Sequence, residues 1–142
     1  LTTEFTTEFE LEGDATYADA KQDFENEFEG ELAPLGFVIP KFYNLQEDLL
    51  KKNGQDDYDF YDTYSICKFN VIFPVSKDHP EAGAFAPCSL FIYKKKDEDT
   101  VHIGYPSVEN WIDNLDITDE ESINALRSSE GMIKKILEGM TE

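Results

Sequence analysis

The run from Tyr64 to Tyr105 limits the fold more than any other stretch of this chain. Just before and within it, Phe60, Tyr64 and Ile66 alternate with Tyr61, Thr63, Ser65 and Cys67, which predicts a strand with one apolar face. Ser89 to Lys95 and Thr100 to Tyr105 read as two more strands, joined by the polar loop Lys96-Asp97-Glu98-Asp99 into a hairpin. Charge at an exposed hairpin tip is a common solubility device, so the run Lys94-Lys95-Lys96 needs no ligand to explain it. Between the first strand and the hairpin, Phe69 to Val75 is apolar but holds Pro74, which predicts a short helix or an irregular segment. Asp78-His79-Pro80-Glu81 and Gly83 are loop chemistry.

The flanking sequence supplies further layers. Thr3, Phe5, Thr7, Phe9 and Leu11 alternate with acids and Thr6, as in a half-buried strand with an acidic solvent side. Asp14 or Thr16 caps the helix that follows, whose stripe runs through Tyr17, Ala20, Phe24, Phe28 and Leu32 to a stop at Gly36. Phe37-Val38-Ile39-Pro40 restarts an extended run suited to an edge, because Pro40 has no amide to donate. Asn44 to Lys52 predicts a short helix closed by Asn53-Gly54, and Val108, Trp111, Ile112 and Leu115 predict another. Thr118 and Glu121 have capping-box spacing ahead of a last helix that buries Ile123, Leu126, Ile133, Ile136, Leu137 and Met140. The whole predicts an α+β fold, a two-layer sandwich with a mixed β-sheet of about five strands and helices mainly on one face. Residues 1–142 read as one domain, a core over 1–106 with a helical segment over 107–142 packed on it.

Thirty-one acids against twelve bases give a net charge of −19, and Arg127 is the sole arginine. That field repels phosphate backbones and anionic lipid surfaces, so nucleic acid is excluded as a partner. No apolar run reaches the length that crosses a bilayer, so membrane insertion is not expected. A basic protein or a small molecule suits the charge better. The chain begins at Leu1, which fits a removed leader or a trimmed start, and the reading favours export over the cytoplasm.

Cys67 at the end of one strand, Pro80 and Gly83 in the connector, and Pro87-Cys88 leading into Leu90-Phe91-Ile92-Tyr93 form a pattern. With this element order, the pattern resembles the bacterial and archaeal family catalogued as domain of unknown function 302. Lys68-Phe69 stands where that family often has Asn-Pro. The resemblance implies a two-layer α/β fold and a homodimer, and it implies no reaction.

Two such strand ends can be neighbours, since adjacent strands lie about 4.8 Å apart. Three readings stay open for the cysteines: small buried side chains, a disulfide, or a thiol or soft-metal pair. His79 and His102 complete a donor set for zinc or copper(I), but their spacing matches no zinc template, so no metal is assigned. Asp56, Asp57, Asp59 and Asp62 fail the EF-hand pattern and read as solvated acids. No GxSxG, Walker, GxGxxG or HExxH motif occurs, so no catalytic residue and no cofactor are assigned, and the reading leans away from an enzyme. The expected function is a non-catalytic ligand-binding or protein-interaction module, homodimeric, with a pocket near Cys67, Cys88, Ser89 and Tyr64. The alternative is a redox, sulfur-transfer or soft-metal protein using Cys67 and Cys88.

Overall fold

The computed structural model describes residues 2–85 and 88–141, so Pro87 of the Pro87-Cys88 pair lies outside the described residues. Five strands form one sheet: β1 (Thr2–Glu8), β2 (Phe37–Asn44), β3 (Tyr58–Lys68), β4 (Cys88–Lys95) and β5 (Thr100–Pro106), in the order β1-β5-β4-β3-β2. Four longer helices accompany them: α1 (Tyr17–Leu32), α2 (Phe69–Asp78), α3 (Glu109–Asn114) and α4 (Glu120–Met140). This is the two-layer α+β arrangement that the periodicities predict.

The sheet is antiparallel at every pairing and not mixed. A strand, a helix and a strand in succession suggest parallel neighbours. Here β1 and β2 do run in the same direction, but β5, β4 and β3 stand between them. The helix α1 therefore carries the chain across the full width of the sheet, while β2 to β5 follow as neighbours. Both edges are formed by the strands that α1 joins.

One face of the sheet takes the helices. Phe60, Tyr64, Ile66, Leu90, Ile92, Val101, Ile103 and Tyr105 pack with Phe28 and Leu32 of α1 and with Ile133 and Leu137 of α4. A second cluster, built on Val75, Val108, Trp111, Ile112, Ile117 and Leu126, closes the end of the core where β3 finishes and β4 begins. Half-buried Cys88 touches both clusters. Local signals act largely as predicted. Thr16 caps α1 in a capping box with Asp19, and Gly36 and Gly54 stop their helical segments at φ 84° and 80°. The cap of α4 is Asp119, not Thr118: its backbone is extended and its carboxylate accepts from the Ser122 amide at 3.0 Å. Residues 69–78 form a helix with Pro74 at its middle, where the proline removes one amide donor from a short element.

Candidate functional site

A small cavity opens where β3 ends and β4 and β5 run beneath α2 and α4. Its volume is about 50 Å³ to a water-sized sphere, against roughly 150 Å³ for an engineered cavity that accepts benzene. Its walls are mostly apolar, with Phe37, Ile66, Ile72, Trp111 and Ile133 prominent, and both Cys67 and Cys88 contribute. Cys88 stands opposite Ile66 in the β3–β4 register, so it shares the helix-covered face. Cys67 is the next residue along β3 and alternates toward the other face. Both cysteines contribute to the cavity lining from neighbouring strands, and both are free thiols.

Burial raises the pKa of both thiols, and Cys88 reaches about 11, with the Glu130 carboxylate adding to the shift. Neutral thiols are poor nucleophiles and poor metal ligands. Tyr105 adds a polar point to the wall: its ring is buried and its hydroxyl has no hydrogen bond of good geometry among the described residues. Thr3 Oγ1, on the neighbouring strand, lies 3.0 Å from Ser107 Oγ. Glu130 also lines the cavity, and burial raises its pKa against the opposing pull of the Val108 amide. Lys68 at the rim donates to Leu35 O at 2.7 Å and lies over the Phe37 ring.

The other two predicted site residues lie elsewhere. Ser89 pairs with Ser65 on the sheet face away from the helices, and Tyr64 is buried in mid-strand, 5.1 Å from Phe42 between ring centres. Neither lines the cavity. His79 and His102 also separate. His79 bonds Asp119 Oδ1 at 2.6 Å, a contact that raises its pKa. His102 bonds Glu98 at 2.6 Å and stacks on Tyr93. Among the described residues no group of three or more His, Cys, Asp or Glu is arranged to hold a metal ion.

Beneath α1 the structure assembles a charged cluster. Lys21 Nζ lies 2.5 Å from Asp62 Oδ2 and 3.6 Å from Glu25 Oε1, and all three residues are buried. Burial, then the adjacent Asp62, pushes the Glu25 carboxyl up to about 8, so it holds a proton at neutral pH. Glu25 Oε2 and Asp62 Oδ1 have no donor in hydrogen-bond geometry among the described residues, and a proton shared between the carboxyls relieves both. Burial and then Glu25 raise the Tyr64 phenol as well. Asp62 is thus not a solvated acid. Its signal was present: it shares the strand parity of Phe60, Tyr64 and Ile66, and Lys21 and Glu25 fall four and eight residues after Tyr17 along the α1 stripe. Lys94 is a parallel case, buried on the same face, with Nζ 2.6 Å from Asp59 and over the Tyr17 ring.

The model for "Domain of unknown function DUF302" matches residues 14–139. The chain belongs to the DUF302 family. The match extends through most of α4, well beyond the hairpin on which the sequence resemblance rests. A crystal structure of an uncharacterized conserved DUF302 protein from Bacillus stearothermophilus has the same fold, with a TM-score of 0.75 at 16% identity. The alignment covers 99% of this chain and 98% of that one. No curated protein matches the chain. No helix among the described residues is long and apolar enough to cross a membrane.

Proposed function

We propose that this DUF302 protein is a non-catalytic binding module, a homodimer of single-domain chains, whose ligand enters the cavity at Cys67 and Cys88. The observation that carries the reading is the cavity itself: apolar walls that include buried Tyr105, whose hydroxyl lies near Thr3 but makes no hydrogen bond of good geometry among the described residues. A buried hydroxyl without a partner costs about 1–3 kcal/mol, and a ligand that bonds it recovers part of that cost. The volume suits a short apolar body, or the end of an apolar chain, carrying one hydrogen-bonding group. Ser89 and Tyr64 take no part in binding in this reading. The thiol-dependent alternative shares the cavity, but two thiols with raised pKa values give it little reactivity.

Methyl NMR with n-butanol as the probe tests the proposal. Saturable shifts at Ile66, Ile72 and Ile133, absent in Tyr105→Phe or much weaker there, are the expected result. No saturable shift at these methyls removes the ligand reading. Iodoacetamide at pH 7 addresses the alternative: rapid modification of both cysteines in the folded protein would favour thiol chemistry over simple binding.

A further inference from the structure

The helices occupy the sheet face that carries Phe60, Tyr64 and Ile66, which leaves the opposite face uncovered. That face is not composed like a solvent face. Tyr58, Tyr61, Phe91, Tyr93 and His102 form a continuous set of ring contacts on it, with centroid separations from 4.7 Å to 5.7 Å. Gly104 flattens the set: a Cβ there would stand 2.4 Å from Phe91 Cζ, so only glycine lets the Phe91 ring lie across β5. The rings shield one another and are half-buried without any helix over them.

Charge is distributed just as unevenly. The outward paired positions of β2, β3 and β4 hold aromatic, hydroxyl, thiol, aliphatic and lysine side chains and no acid, in a chain with thirty-one acids. Lys41 stands on the β2 edge, next to Tyr43. The outward acids at paired positions are Glu4 and Glu8, on the opposite edge strand β1, and Glu98 reaches the face from the hairpin loop to bond His102.

We infer that a second copy of this chain docks on this face, sheet against sheet, about a twofold axis running along β4. The inference rests on the homodimer reading and specifies its geometry. Because β4 is the central strand, that axis lays β1 of one copy over β2 of the other. Glu4 then lies within two residues of the level of Lys41, in reach of its long side chain, once on each edge of the interface, and Phe91 and Tyr93 pack on their own copies near the axis. An axis across the strands would instead lay β1 on β1 and bring the glutamates of both copies together. Packed sheets keep their strands within about 30° and roughly 10 Å apart, which preserves this pairing of edges.

Sedimentation of the full chain tests the inference through exposed positions. Lys41→Glu should weaken the dimer about 10-fold or more, since it sets like charges against each other. Adding Glu4→Lys to Lys41→Glu should restore association. Adding Glu31→Lys, an equal charge change on the exposed side of α1, should not. A wild-type dimer whose dissociation constant is unchanged by Lys41→Glu overturns this interface and leaves the homodimer reading standing. Equal rescue by Glu31→Lys also overturns it, because net charge alone would then explain the effect. A chain that stays monomeric up to its solubility limit overturns both. If such a monomer binds tetramethylammonium at Tyr61 and Tyr93 by NMR, the face belongs to a cationic partner.

Discussion

At the cavity end of the core, burial keeps Cys88 and Tyr105 neutral among apolar neighbours, whereas under α1 burial encloses Lys21, Glu25 and Asp62 together. The first region avoids charge. The second contains it by pairing, with one lysine opposite two carboxyls of which one is protonated. The difference supports placing the proposed ligand at the cavity end. Its walls are mostly apolar, while the cluster under α1 sets its charged groups on one another.

Breaking the pairing should have the largest effect. Lys21→Met leaves two buried carboxyls without a cation and should cost about 3–5 kcal/mol in urea denaturation. A loss below about 1 kcal/mol would mean that the three groups are not coupled.

The next effect is on pH dependence. Burial pushes the Glu25 carboxyl up to about 8 in the folded chain, against an ordinary value of 4.5. Between those values the folded state holds a proton that the unfolded state has released, so stability should fall as pH rises from about 5 to 8. The decline should be about 2–4 kcal/mol, and Glu25→Gln should flatten it. A rise in stability over that range in the wild type would contradict the raised carboxyl.

At the other region the expected effects are smaller. Cys88→Ala removes one sulfur from a neutral environment and should cost about 1 kcal/mol, with the pH profile unchanged. Gly131→Ala sets the baseline. An added Cβ on this exposed helical position meets nothing within 4 Å and should stabilise by about 0.5–1 kcal/mol. Thermal melts of the two variants at a single pH would rank them.

Legibility from sequence varied with the range of the signal. Alternation at Thr3 to Phe9 and the stripe through Tyr17, Phe24, Phe28 and Leu32 identified β1 and α1, because strand and helix periods are properties of the local backbone. The strand-end cysteines pointed to the end of the sheet where the cavity opens, and both line it. Ser89 and Tyr64 did not follow, since neighbours along a strand project to opposite faces and a cavity samples only the face and level it opens on.

What the chain's own sequence determined is which segments become strands and helices, and how negative its surface is. Tertiary structure alone decided that α1 spans the sheet and puts β1 and β2 at opposite edges, because a crossover helix does not specify how many strands it passes. It also decided that Asp62 meets Lys21, forty-one residues away. A carboxylate is a solvated acid or a buried partner according to what the fold sets against it. The inward-pointing position of Asp62 was written in the sequence, and the cation that makes that position tolerable was supplied by α1.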